Sequence, residues 1–556
     1  MMNPQSGARL TCCTIEGYKS IRDKIVIRFP QYTPLILVGE NNSGKSNIIS
    51  ALDLVLGERW PGTREPEDHD FWERDTQNGI IHIEAEVSGV YGYNHSVHKF
   101  KWICDSKSRK QPEFRVELDD CAEKFVSNEI RDQLMFILIG PDRRLDYQLS
   151  YTNKFTLLSK LMQKFHSALT SDVGRVGRLK QAFDDLERIF REVNEFAEFE
   201  QNLSREFDEM FAGMSYGLQV DFSAYDPSRY FHSLRVVPRE GTERRTFEEL
   251  GTGQEQILAL AFAHAYAKAF YGGIILAIEE PEAHLHPLAQ EWLAQKIYQM
   301  AADGLQIVIT THSPHFVNLM SLEGLVLVRK DGEGATRTCQ LTRNQLADHC
   351  IKTGSHKNKT TPETVLPFYA NQSTQEILNG FFAKKIILVE GQSEQLALPV
   401  YLRKVGLDVT QEGVAVIPVM GKGNLAKWWR LFTAYGIPTF IIFDNDDEHD
   451  KQGAKRKDAL KALGIAENQW GQYLSNDEFL IHDQFAVFGK DFEVTMRAQF
   501  SDYFQHEQRA SEMFGDSKPI IARYVANELE ATSGDAGWQK YHDLKKAILD
   551  LGMPHQ

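Results

Sequence analysis

Cysteine is scarce in this sequence and poorly spaced for metal chemistry. The six thiols, Cys12, Cys13, Cys104, Cys121, Cys339 and Cys350, form no CxxC pair, and the adjacent Cys12-Cys13 makes no ordinary zinc clamp. Reduced thiols in strands and helices are the expectation. Long apolar runs are missing as well: none approaches the ~20 residues that cross a bilayer. Met1–Leu10, with Pro4, Gln5, Ser6 and Arg9, lacks the apolar core of a secretory leader. These absences predict a soluble, cytoplasmic protein without membrane contact. There is no basic surplus, because the formal charge is −15, so any contact with nucleic acid needs a local basic patch or bound metal. Two patches offer themselves, Lys99, Lys101, Lys107, Arg109 and Lys110, and Lys451, Lys455, Arg456, Lys457 and Lys461. Such clusters are most often solvated faces. At 556 residues the chain exceeds one hydrophobic core, and ~150 residues per domain predicts three or four units.

The stretch that is unmistakably present is Leu35–Ser46, LILVGENNSGKS. Four apolar residues run into Gly39-Glu40-Asn41-Asn42-Ser43-Gly44-Lys45-Ser46, the GxxxxGK[ST] pattern of a phosphate loop with its strand in place. Gly39 and Gly44 let the backbone curl so that the amides of Asn41, Asn42 and Ser43 face phosphate oxygens. Lys45 reaches the outer phosphates and Ser46 offers a hydroxyl to Mg²⁺. Nucleotide binding is therefore the first expectation.

Upstream, Leu10–Phe29 reads as two short strands around a turn. Downstream, Ile80–Val90 alternates, with Ile81, Ile83, Ala85 and Val87 on one face, and strands follow at His98–Cys104 and Phe114–Leu118. Phe155–Met214 has helical spacing, through Leu158, Leu161, Met162 and Phe165 and then Phe183, Leu186, Ile189, Phe190 and Val193. It reads as an arm, a dimerisation element or a plain helical subdomain. After strand-like Tyr230–Pro238, the turn Gly251-Thr252-Gly253 opens the apolar helix Ile257–Ala269 and forms a second anion site. Ile274–Ile278 then delivers Glu279 and Glu280 to a strand end, where one acid suits hydrated Mg²⁺ and the other suits activation of water. Gln306–Thr310 leads to His312, placed for a γ-phosphate contact.

The order of these parts resembles the ATPase head of the ABC type, in particular its RecF-like branch. The resemblance implies that Glu279 assists Mg²⁺, Glu280 is the base for water and His312 senses the γ-phosphate. It also implies that ATP lies between two heads, with Thr252 and Gly253 touching the nucleotide held by Lys45 of the partner subunit. The usual signature serine is Gly251 here, which predicts slow or regulated hydrolysis.

Composition shifts between Thr342 and Lys385, where Lys352–Lys359 has no apolar period and Pro362 and Pro367 follow, so a domain junction is expected. A second α/β pattern begins at Lys385–Gly391: a strand ends in Glu390, and Glu394 stands one helical turn beyond. Val414–Val419 is the next strand, closed by Gly421-Lys422-Gly423-Asn424. Thr439–Phe443 then delivers Asp444-Asn445-Asp446-Asp447. Acids from neighbouring strand ends make an oxygen-rich pocket suited to Mg²⁺ or Mn²⁺.

This half is similar to a Toprim domain, and an ABC-type head followed by Toprim resembles the OLD (overcoming lysogenisation defect) family of nucleases. By position, the resemblance adds Glu493 as a further metal carboxylate and Lys518 as the catalytic lysine. The expected fold is α/β: a head from residues 1–150 and 215–345, a helical insertion at 151–214, a linker at 346–383 and Toprim with a helical extension at 384–556. The expected function is an ATP-regulated DNA endonuclease. Glu390, Glu394, Asp444, Asp446 and Glu493 would hold two divalent ions, and Lys518 would neutralise phosphate charge. The family further implies anti-phage defence and a dimer or tetramer through the heads, and leaves room for a second defence-system protein. The competing reading is a RecF-like ATP-gated DNA clamp or repair factor without nuclease activity; a purely binding module has no reason to turn so many acids toward a polyanion.

Overall fold

A computed structural model describes residues 7–57, 59–108, 111–140, 171–194, 273–283, 285–446, 450–475, 477–531 and 534–552, with scattered positions between 198 and 265. The chain divides into two compact units, Met1–Pro141 with Tyr271–Gln556, and Asp142–Phe270. In the second unit Val173–Arg191 is helical, as the spacing predicts. The strand expected at Tyr230–Pro238 and the turn bearing Thr252 and Gly253 lie outside the described residues.

The first unit opens with β1 (Arg9–Glu16), β2 (Ile25–Arg28), β3 (Leu35–Val38) and helix α1 (Lys45–Leu56). It continues through β4 (Ile80–Ser88), β5 (His95–Asp105), β6 (Glu113–Leu118), β7 (Glu123–Phe125) and β8 (Leu134–Ile139). Strands β2-β1-β4-β5-β6-β7 form an antiparallel sheet. In β4 the expected set Ile81, Ile83, Ala85 and Val87 is buried while the alternate residues stay outward, the signature of a sheet covered on one face. The register of this sheet pairs two members of the first basic patch, while Arg109 and Lys110 lie outside the described residues. Lys99 lies 3.5 Å from Glu84 and 3.8 Å from Glu117, and Lys101 pairs with Glu117 and with Glu123 at 2.8 Å, so both cations are matched across strands.

A second sheet carries the phosphate loop. It adds β9 (Gly273–Glu279), helix α2 (Pro287–Ala302), β10 (Gln306–Thr310), β11 (Leu325–Lys330) and β12 (Thr336–Gln340), in the order β12-β11-β3-β10-β9-β8. All but β12 are parallel. Strand β3 is buried at every position, which explains its unbroken apolar run.

The stretch expected as a junction is packed structure. Helix α3 (Arg343–Lys352), capped by a Thr342–Gln345 capping box, and helix α4 (Val365–Gln372) bury Leu346, Ala347, Cys350, Leu366 and Tyr369. Two short helices of eight and ten residues give too few turns for a visible period.

The last part holds β13 (Lys385–Val389), α5 (Gln392–Lys404), β14 (Val414–Pro418), α6 (Lys422–Ala434), β15 (Thr439–Asp444), α7 (Ala454–Ala462), β16 (Leu480–Ile481), β17 (Phe485–Phe488), α8 (Phe492–Gln499), α9 (Tyr503–Phe514), α10 (Lys518–Glu528) and α11 (Ala536–Asp550). The sheet order is β14-β13-β15-β17-β16, parallel except at β16. The C-terminal helices are bound to it by an aromatic cluster: the Tyr401 ring stacks on Tyr541 at 4.5 Å and on Phe500 at 5.5 Å, beside Trp538. All six cysteines are free, and Cys121 sits exposed in a turn rather than in a strand or helix.

Candidate functional site: a phosphate loop and a carboxylate cluster

Parallel strands place their carboxyl ends on one edge, and the second sheet uses that edge as expected. Strand β3 ends in the loop Gly39–Ser46, β10 beside it ends at His312, and β9 beyond ends at Glu279 and Glu280. Gly39 has φ 144° and Gly44 φ 107°, and a Cβ on Gly44 would lie 2.2 Å from Thr336 Oγ1, so the loop's curl requires glycine. The Lys45 ammonium donates to the carbonyls of Gly39 at 2.9 Å and Glu40 at 2.8 Å, within its own loop. Burial pushes its pKa down to about 8 against the pull of Glu280, Glu282 and Glu40.

Glu280 takes the left-handed backbone at φ 49° and its amide donates to Thr310 O at 2.9 Å, which ties β9's end to β10. The His312 Nε2 lies 3.7 Å from Glu280 Oε1. Burial, then Lys45, lowers the His312 pKa. Sequence reasoning passed over Glu282, whose carboxylate accepts the His312 amide at 2.6 Å and so ties the end of β10 to the turn after β9. The signal was its place two residues past the acid pair. Asn41, Asn42, Ser43 and Arg329 line one face of the loop around a cavity of about 350 Å³ that also touches Lys384 and Pro438.

The second edge belongs to β13, β14 and β15. Glu390 follows β13, and its Oε1 accepts the Asp444 amide at 2.8 Å, so two adjacent strand ends are tied through an acid. Glu394, 5% exposed in the first turn of α5, accepts the Gly391 amide at 3.1 Å. Glu493 on α8 is reached by Ser393 Oγ at 3.5 Å. Asp444 is 8% exposed, and its Oδ1 is buried without a hydrogen-bond partner.

These groups feel one another. Burial raises the Glu390 pKa to about 7, with Glu394 and Asp446 adding to the rise and Lys422 opposing it. Burial, and then Glu390 and Glu394, raises Asp444 well above the carboxylate range. Burial also raises Glu394, with Glu493 contributing. Glu390 thus feels Glu394 and Asp446, Asp444 feels Glu390, Glu394 and Asp446, and Glu493 joins through Glu394, so the five predicted acids form one linked set, although among the described residues no three of them bring ligand oxygens within 4.8 Å of one another. An orphaned buried oxygen inside an all-oxygen donor set fits a hard divalent cation.

Lys518 is not joined to this group. It stands exposed at the start of α10, and among the described residues it makes no ion pair or hydrogen bond. The lysine inside the cluster is Lys422, 6% exposed, with Nζ 3.4 Å from Asp446 Oδ1 and 3.7 Å from Glu390 Oε1. In the sequence it looked like part of a Gly-Lys-Gly turn. The second basic patch is also partly turned inward: buried Arg456 holds Asp450 Oδ2 at 3.0 Å and the carbonyl of Asn445 at 2.6 Å.

Residues 35–318 match the family described as AAA domain, putative AbiEii toxin, Type IV TA system. Residues 381–446 match the Overcoming lysogenization defect protein-like TOPRIM domain. The chain is 25% identical to the OLD nuclease of Thermus scotoductus over 468 residues, 80% of this chain and 84% of that one. It is 21% identical to the Old nuclease of Escherichia phage P2 over 529 residues, 87% and 86% of the two chains. Over a shorter span of 190 residues, 33% of this chain and 27% of its relative, it is 27% identical to Endonuclease GajA of Bacillus cereus.

Proposed function

We propose, for a chain that belongs to the OLD family of nucleases with an ATPase domain ahead of TOPRIM, that the five-acid cluster cuts DNA under control of the phosphate-loop lobe. The observation that carries this reading is Asp444 Oδ1, buried without a hydrogen-bond partner while Glu390, Glu394 and Asp446 act on its carboxyl. Nothing but a cation or a proton makes such a group tolerable at neutral pH.

Mg²⁺ or Mn²⁺, when bound, supplies Lewis-acid chemistry, drawing charge off the phosphodiester and making a neighbouring water acidic. Glu390, Asp444 and Asp446 would hold one ion, and Glu394 and Glu493 a second. The hydrogen bond from the Asp444 amide to Glu390 Oε1 fixes the spacing between the two strand ends. Lys422 brings positive charge to the same edge, and Lys518, exposed at a helix start, is free to swing toward a bound phosphate. In the ATPase lobe, Gly39–Ser46 would cradle ATP. Ser46 and Glu279 would hold its Mg²⁺, Glu280 would take the proton of the attacking water, and His312 would contact the γ-phosphate, with Thr252 and Gly253 contributed across a dimer or tetramer of heads. Cytoplasmic anti-phage defence, alone or with a second protein, is the setting this chemistry suits. No helix among the described residues is long and apolar enough to cross a membrane.

The test is supercoiled plasmid incubated with purified protein and Mg²⁺ or Mn²⁺, with and without ATP. Nicking that Asp444→Ala abolishes while ATP binding persists is the expected result. Cleavage that survives Asp444→Ala, or a wild-type protein that binds plasmid on adding ATP and never cuts it, would overturn the proposal.

A further inference from the structure

The turn before α6 is built at a cost. Met420 adopts φ 57° while 63% exposed, and Gly421 follows at φ 118°, two left-handed residues in succession. The turn is tied to the carboxylate strand itself, since the Gly421 amide donates to Glu390 O at 2.9 Å and the Val419 amide to Val389 O at 2.9 Å. What this turn delivers is Lys422 at the first position of α6. A lysine at a helix N-terminus faces the positive end of the helix dipole, and a buried ammonium loses its hydration, so both terms oppose the placement. Its compensation comes from the acids. The Nζ donates to Asp446 O at 3.2 Å and lies within 4 Å of carboxylate oxygens of Glu390 and Asp446, on two different strand ends.

We infer that Lys422 is a resident counter-ion whose ammonium neutralises Glu390 and Asp446 in the metal-free enzyme and competes with the divalent cation for them. The inference rests on the reading of the five acids as a metal site. Without Lys422, the carboxylates of Glu390 and Asp446 would lose the cation that, among the described residues, lies within 4 Å of both. With it, the edge carries its own counter-charge, and an arriving divalent ion must push the ammonium aside or share its oxygens. The sign of the effect separates this role from that of a scaffold. Removing a competing cation tightens metal binding, whereas removing a scaffold loosens it.

The experiment titrates Mn²⁺ into the metal-free full-length chain and follows free Mn²⁺ by electron paramagnetic resonance. Lys422→Met should bind Mn²⁺ roughly tenfold or more tighter than wild type, because a unit charge a few ångströms from the ion is removed. Lys422→Arg, which keeps the charge, should stay within about threefold of wild type. Unchanged or weaker Mn²⁺ binding by a natively folded Lys422→Met protein overturns the inference.

A second measurement needs no variant. In wild type, amine labelling of Lys422, read by peptide mass spectrometry, should rise severalfold when Ca²⁺ is added, and unchanged or reduced labelling counts against displacement. If wild type binds no Mn²⁺ that Asp444→Ala abolishes, the metal site itself fails. If that binding is present but does not tighten in Lys422→Met, only the role of Lys422 fails.

Discussion

Removing metal should make this protein sensitive to pH in an unusual direction. Glu390 has a pKa raised from 4.5 to about 7 in the folded chain, chiefly by burial. Between those values the native state holds a proton that the unfolded chain has released, so metal-free stability falls as pH rises. The contribution is full below about pH 4.5 and lost above about 7. At 1.36 kcal/mol per pKa unit it amounts to about 3 kcal/mol from this one carboxyl. For a compact unit formed by Met1–Pro141 with Tyr271–Gln556, that is roughly 3–4 °C in melting temperature. The assay is thermal unfolding in EDTA at pH 5 and pH 8, comparing wild type with Glu390→Gln, which carries no titrating group there. The wild-type melting temperature should drop by that amount relative to the variant as pH rises. Saturating Mg²⁺ should erase the drop, because a cation binds the ionised form. Equal pH slopes for the two proteins in EDTA would refute the electrostatic reasoning.

Lys45→Met should lower ATP affinity at least tenfold, read with a fluorescent ATP analogue, while plasmid nicking without nucleotide persists. Gly44→Ala should do the same for steric reasons, since its Cβ would lie 2.2 Å from Thr336 Oγ1 at a φ of 107°. Tyr541→Ala should cost about 3–5 kcal/mol of stability in urea titrations, as its ring is fully buried and stacked on Tyr401. Arg329→Met should leave ATP binding and metal-dependent nicking within about threefold of wild type but flatten the response of nicking to ATP. In wild type this guanidinium reaches the carbonyls of Ala383 at 2.5 Å and Lys384 at 2.8 Å, and lies 3.8 Å from Glu40.

The placement of candidate residues at strand ends was legible wherever an acid or a glycine loop followed an apolar strand, because a buried parallel strand has one exit and exposes what comes next. That logic located Lys45, Glu279, Glu280, His312, Glu390, Asp444 and Asp446. It could not find what depends on register. Lys99 and Lys101 looked like a patch because their partners, Glu84, Glu117 and Glu123, are set by strand pairing and not by nearness in sequence. Lys422 was hidden for a related reason. A lysine between two glycines reads as a solvated turn, and only the fold turns it inward. The segment 346–383 was missed because polar Lys352–Lys359 separates short helices whose buried faces are visible only once they are packed.

Strand β13 has a mechanical meaning that follows from its two ends. Arg329 grips the carbonyls at its root, beside the phosphate loop, and Glu390 stands at its tip. An extended strand is nearly inextensible at ~3.3 Å per residue, so its five residues form a strut of roughly 17 Å. A shift of its foot would arrive at the tip almost undamped, and the blade and the motor of this enzyme would share a single rigid lever.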